Sequence, residues 1–229
     1  MKIKVVYFAY LKDVNGTNWE EVVCEQMNSL KSIGLYNIIE DVSLVVVCDD
    51  KQLKRLKQHI WAKWKKVKIY ARTNVNQYEY PGLKAVWEIA QKEDDSIILY
   101  FHTKGISNSS KKRGGSSIRR IMFDTTIRNY DLYLEEFKKN KDLDLGMVFP
   151  SEYGFSWYNF FWARASYVKN YLPEPKYTSH RYYWEHWIGS EHSSKKDIKT
   201  FSPFLGYKKT GNKAQFANLR NKVWKMHSK

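Results

Sequence analysis

The most apolar stretch of the chain ends in a group of polar side chains: Ser96-Ile97-Ile98-Leu99-Tyr100-Phe101 runs straight into His102-Thr103-Lys104-Gly105. Five apolar or aromatic residues in succession predict a buried central strand. In an open α/β sheet, ligands bind outside the carboxyl ends of the strands, so an imidazole and an ammonium at such an end are placed to meet an anion. The plainer alternative is a strand that leaves the core and meets solvent. A second group is Arg181-Tyr182-Tyr183-Trp184-Glu185-His186-Trp187-Ile188-Gly189, where Glu185 stands among rings. Removing water from a carboxylate raises its basicity, which suits proton abstraction. Arg181 lies four residues earlier, and that spacing equally describes an ordinary ion pair on one helix face, worth about 0.2–0.5 kcal/mol. A third group is Trp157-Tyr158-Asn159-Phe160-Phe161-Trp162-Ala163-Arg164. Rings stack on the C–H faces of sugars while an amide and a guanidinium bond their hydroxyls, although the same rings serve equally as core. Acids recur at Asp49-Asp50, after a second apolar run, and at Asp142-Leu143-Asp144. Helix capping is the competing role at the first, and Asp50 is read as a cap; a solvated turn is the competing role at the second.

These groups need a scaffold, and the first two-thirds of the chain supplies one by alternating strand and helix. Ile3 to Tyr10 predicts strand one, with Val5, Val6 and Phe8 as core. Thr17 and Asn18 precede Glu20 and Glu21 at capping-box spacing, and Val23, Met27 and Leu30 make a helical stripe ended by Gly34. Val42 to Cys48 predicts strand two, followed by a helix with Leu53, Leu56, Ile60 and Trp64 on one side. Val67 to Tyr70 is a short third strand. Pro81 occupies an expected first helical position ahead of Leu83, Val86, Trp87 and Ala90. Strands separated by helices imply crossovers and a mostly parallel sheet, with Ile97 to Phe101 in its middle. Beyond it, residues 106–117 read as a mobile loop, either a connector or a lid over an anionic ligand. A helix from about Ile118 to Lys138 and a fifth strand from Leu145 to Phe149 follow. The basic tail from Lys195 has no clear periodicity.

Composition bounds the function. The 229 residues suffice for a substantial core, and 43% hydrophobic with 28% charged residues is globular, not disordered. No apolar run reaches the roughly 18 residues of a membrane span. The opening Met1-Lys2-Ile3-Lys4 has no signal-peptide pattern, and two cysteines make no disulfide framework, so a cytoplasmic setting is expected. Cys24 and Cys48 lack metal-type His spacing, and neither Gly105 nor Gly114-Gly115 forms a Walker or dinucleotide motif. A net charge of +15 with 16% aromatic residues fits a single-strand nucleic-acid surface. It fits equally a polyphosphate-bearing small molecule with a stacking sugar or base.

Read in order, Leu99 to Gly105, Asn159 to Arg164 and Arg181 to Gly189 resemble a family of small glycosyltransferase-like proteins known from bacteria and from large DNA viruses such as chlorella viruses. The upstream Tyr78-Glu79-Tyr80-Pro81-Gly82-Leu83 is similar as well, and the resemblance spans roughly residues 3 to 190. It implies a GT-A fold of the α/β class, with a Rossmann-like, mostly parallel central sheet flanked by helices. One domain over residues 1–229 would comprise a nucleotide-binding half (1–105), an acceptor and catalytic half (106–194) and a basic C-terminal segment (195–229). The implied activity is hexosyl transfer from a nucleotide-diphosphate sugar, UDP-linked first and GDP-linked second, to a glycan or glycoprotein. A nucleic-acid-binding protein and a sugar-binding domain without catalysis are the competing classes.

The resemblance also assigns residues. Donor binding falls on Ala9, Tyr10, Asp49, Arg72, His102 and Lys104, and acceptor binding on Trp157, Asn159, Trp162, Arg164 and Arg181. Glu185 would be the general base of an inverting enzyme. GT-A enzymes commonly carry Asp-x-Asp after the fourth strand to hold Mn2+ or Mg2+ against the donor diphosphate. His102-Thr103-Lys104 stands there instead, and the Lys104 ammonium can supply that charge without a metal. His102, Asp142 and Asp144 are the candidate ligands should a metal be used.

Overall fold

The computed structural model describes residues 1–13, 18–93, 95–103, 114–180, 182–206 and 213–227. In its first half, β1 (Lys2–Tyr10), β2 (Val42–Val47), β3 (Val67–Thr73) and β4 (Ser96–His102) alternate with α1 (Trp19–Ser32), α2 (Leu35–Ile38), α3 (Asp50–Lys63) and α4 (Tyr80–Lys92). The second half holds α5 (Gly114–Met122), α6 (Tyr130–Lys139), β5 (Leu145–Gly146), β6 (Phe161–Arg164), α7 (Ala165–Tyr171), α8 (Tyr183–His186), β7 (Thr200–Phe201) and α9 (Lys213–His227). One sheet takes strands from all three sequence segments, in the order β3-β2-β1-β4-β6-β5-β7. β1 to β4 are parallel, β6 runs against both β4 and β5, and β7 is parallel to β5. β4 is the middle strand, as its apolar run predicts, and every residue in it is buried. Each of its fully covered Ile, Leu and Phe side chains contributes about 1.5–3 kcal/mol to that position.

Strand periodicity divides the core into two layers. Val5, Tyr7 and Ala9 of β1 join Ile97, Leu99 and Phe101 of β4 on the face covered by α1, α3, α5 and α6. Val6 and Phe8 join Ile98 and Tyr100 on the face covered by α4 and α7. Helix α4 approaches closely because Gly82 has no side chain; a Cβ there would lie 2.8 Å from both the Phe8 Cβ and the Tyr100 hydroxyl.

Several expectations need correction. Residues 114–117 belong to α5 and not to a loop. The single helix expected from Ile118 is interrupted by a π-helical turn over Phe123–Ile127 before α6 begins. The fifth strand stops at Gly146, since beyond it the backbone bonds Phe201, the Ser202 hydroxyl and Trp157 in a loop. Phe161 to Arg164, read for its rings and guanidinium, enters the sheet as β6 between β4 and β5. The unassigned tail supplies β7 and α9.

Candidate functional site

The chain order reverses between β1 and β4, since β1 connects outward to β2 and β3 while β4 continues to the other side. The carboxyl ends of such neighbours leave the crevice in which α/β sheets bind ligands. Thr103 ties the two ends together, its N–H donating to Phe8 O at 3.1 Å and its hydroxyl accepting from Tyr10 N–H at 2.9 Å. Ala9 and Tyr10 end β1, Asp49 follows β2, Arg72 is the second-last residue of β3, and His102 ends β4. Five of the donor-side residues thus share one rim; Lys104 lies outside the described residues. Asp49, not Asp50, caps α3, forming a reciprocal capping box with Gln52. Asp50 pairs with Arg72 at 2.7 Å. Ala9 is wholly buried, so only its backbone belongs to the rim.

A buried polar network fills the α4 side of this rim. His102 follows Tyr100 on the same strand face and is 6% exposed. Its Nε2 lies 3.1 Å from the Tyr158 carbonyl and 3.7 Å from Glu79 Oε1. A carbonyl only accepts, which places a proton on that nitrogen. Glu79 Oε2 accepts from the Asn159 amide at 2.5 Å and from the Tyr100 hydroxyl at 3.4 Å. Burial first, and then the Glu79 charge and hydrogen bond, push the Tyr100 phenol well above its ordinary value, so it remains a donor. The Asn159 amide also donates to Trp184 O in α8 at 3.0 Å. Its carbonyl oxygen is buried and has no hydrogen-bond partner among the described residues.

The backbone around this network is strained. Tyr78, Tyr158 and Asn159 are the non-glycine residues with left-handed φ among those described, at 54°, 66° and 56°. Each such residue costs about 1–3 kcal/mol and persists only where its surroundings enforce it. Glu79 itself has φ −92° and ψ 0°, the sparsely populated bridge conformation in which many active-site residues sit. Glu79 occupies the N-cap position of α4 yet makes no capping bond. Sequence reasoning left it out of the site. The available signal was a Glu, which ranks outside the residues that favour this position, directly ahead of a helix-opening Tyr80-Pro81.

The other expected residues divide. Glu185 is half-buried in α8, next to the Trp184 carbonyl that Asn159 bonds. Trp157 is half-buried and stacks on Phe216 of α9, with centroids 4.6 Å apart. Trp162 is fully buried, its indole N–H donating to Thr126 O at 2.9 Å, and it offers no surface to a ligand. Arg164 pairs in register with Ile97, five residues and roughly 16 Å from His102 along β4. There its guanidinium bonds the carbonyls of Leu143, Phe137 and Asn140, closing the end of α6. Arg181 lies outside the described residues. Asp144 is likewise away from the rim: Lys195 Nζ lies 2.8 Å from each of its carboxylate oxygens, and Lys199 N–H donates to it at 2.9 Å. Asp142 pairs with Lys199 Nζ at 3.1 Å. Both Asp oxygens are therefore committed to lysines, and among the described residues no group of three His, Cys, Asp or Glu side chains fits a metal ion.

No family model matches the chain, and no curated protein does either. Among solved structures, 4-diphosphocytidyl-2C-methyl-D-erythritol synthase from Anaerococcus prevotii aligns over 97% of this chain and 96% of its own, with 7% identity and a TM-score of 0.45. No helix among the described residues is long and apolar enough to cross a membrane.

Proposed function

We propose that this protein is a glycosyltransferase of the GT-A type, moving a hexosyl group from a nucleotide-diphosphate sugar to a glycan or glycoprotein acceptor. UDP-sugars are the first choice of donor and GDP-sugars the second. The observation that carries this reading is the Glu79–His102–Asn159 network beside the β1/β4 crevice, with a buried acceptor oxygen on Asn159 that has no partner among the described residues. A buried carbonyl oxygen asks for a hydroxyl donor, and a sugar presents several in a fixed array. The donor diphosphate lies across the ends of β1 and β4. His102 and Lys104 offset its negative charge as the anomeric C–O bond breaks. The acceptor oxygen forms the new bond and Glu185 takes its proton, in an inverting course. Glu79 and Asn159 orient the sugar and the imidazole.

A thermal-shift screen over UDP- and GDP-sugars, with and without manganese, followed by a sugar-release assay on any hit, tests the reading. Saturable stabilisation by one nucleotide sugar, with sugar release or transfer, is expected. Absence of stabilisation by every nucleoside diphosphate and nucleotide sugar overturns it.

A further inference from the structure

A second charged cavity lies on the opposite face of the sheet, between α1 and the α5–α6 segment. Its volume is about 100 Å³, and Gln26, Ser29, Arg119, Arg120, Asp124 and Arg128 line it together with Glu25 and Phe123. Among the described residues that line it, three guanidinium groups meet two carboxylates, an excess of positive charge. Arg119 is nearly buried, and loss of water holds its guanidinium below the ordinary value although Glu25 acts in the other direction. Glu25 is 3.9 Å from Arg119 and 4.0 Å from Arg120, too long for good hydrogen bonds, and is half exposed. Arg128 binds Asp124 through Nε at 3.1 Å, which leaves the terminal nitrogens of its fork for another acceptor.

The π-helical turn builds this arrangement. Eight residues of regular α-helix leave a side chain roughly 80° round from its start, which would separate Arg128 from Arg120. The wide turn, closed by Arg128 N–H on Phe123 O at 3.0 Å, absorbs one extra residue and brings both arginines to the same cavity. Such insertions are rare and concentrate at functional sites. The cavity floor is tied to the rim described above. Gln26 is 2% exposed, accepts from Tyr7 OH at 2.7 Å, and donates to the His102 carbonyl at 3.3 Å.

We infer that the Arg119–Arg120–Arg128 cavity is a binding site for a phosphate-bearing group, a monophosphate or diphosphate, held by guanidinium forks. Planar arginine forks match phosphate oxygens two at a time, and a cavity of this size holds one such headgroup. The inference goes beyond the transferase reading and stands without it. The phosphate has two sources to distinguish: the diphosphate of a nucleotide, or a separate phosphorylated ligand.

The test is titration of the whole protein with inorganic pyrophosphate at constant ionic strength, read by calorimetry and thermal shift. Saturable binding is expected in the native protein. Joint replacement Arg120→Ala and Arg128→Ala, at solvent-facing positions, should keep the circular dichroism spectrum and weaken binding about tenfold for each guanidinium removed. Joint replacement Lys51→Ala and Lys54→Ala, which removes the same charge from exposed positions on α3, should leave the affinity unchanged. Absence of saturable binding, undiminished binding in the arginine variant, or an equal loss in both variants each overturns the proposal. UDP added to the pyrophosphate-saturated protein then separates the sources. Competition assigns the site to the diphosphate of a nucleotide, and independent binding assigns it to a second phosphorylated ligand; either result supports a phosphate site.

Discussion

Two ends of one sheet each hold a carboxylate largely screened from solvent, and they hold them differently. At the amino end, Asp144 is met by a lysine at 2.8 Å on both oxygens and by a backbone N–H, and Arg164 nearby closes the end of α6. At the carboxyl end, Glu79 meets the Asn159 amide, the Tyr100 phenol and the His102 imidazole, on a backbone with three left-handed residues close by. The first arrangement is closed and answers to stability. The second has an acceptor at Asn159 with no partner among the described residues, and stored strain, as the proposed ligand site requires. A buried acid therefore says little by itself. Its partners and the conformation around it separate a structural role from a functional one.

That contrast can be broken most directly by activity. Under the transferase reading, Glu185→Gln should keep nucleotide binding and lower turnover by about 100-fold to 10,000-fold. Glu79→Gln should lower turnover by at least about 100-fold while changing unfolding free energy by no more than about 1 kcal/mol, because the amide oxygen can still accept from Asn159. Near-normal turnover in either variant removes that residue from the mechanism. Asp144→Ala should do the converse. Stranding Lys195 should cost about 3–5 kcal/mol in urea unfolding, and ligand affinity should be unchanged wherever the variant remains folded. A weakened ligand site at full stability would merge the two ends.

Smaller effects sharpen the picture. Tyr78 is largely exposed, so Tyr78→Gly loses little packing and releases its left-handed strain. It should raise stability by about 1 kcal/mol, and a clear loss would show that the strain reading is mistaken. The smallest effect concerns His192, whose ring packs on Tyr183 of α8 at 4.7 Å. Burial holds its pKa below the ordinary value, with Glu191 opposing and His186 reinforcing. The unfolded chain takes up a proton near pH 6.5 that the folded protein resists, so the His192 contribution is intact above that pH. It is lost as pH falls through the lower folded value. Melting temperature should decline from pH 7.5 to 5.5, and His192→Gln should flatten the decline; an unchanged slope would refute this.

Patterns in the sequence carried the first half of the fold well, because β4, α1 and α3 announce themselves through local periodicity and caps. They carried the second half poorly. β5 and β7 are two residues each and β6 is four, too short for a periodic signal, and they exist by pairing with strands far away in the chain. For the site, the rim residues followed from one rule about strand ends. Trp162 and Arg164 were drawn in by their types, yet strand geometry sends one into the core and the other to the far end of β4. Asp142-Leu143-Asp144 matched a metal motif literally, but its lysine partners lie more than fifty residues downstream and no local reading could supply them. Glu79 was overlooked because an acid before a helix ordinarily needs no second explanation.

The contact at Gly82 decides which parts of the rim can move. With no Cβ on Gly82, the α4 backbone seats against Phe8 and Tyr100 so closely that even a methyl group there would lie 2.8 Å from both. Helix and sheet therefore travel as one rigid body and carry Glu79 with them. The facing wall, made by the Tyr158–Asn159 turn and the single-turn helix α8, meets α4 through the Asn159 amide on Glu79 and through the buried Trp184 ring beside Tyr80. A ligand entering the crevice would meet Glu79 on a helix that cannot shift independently of β1 and β4.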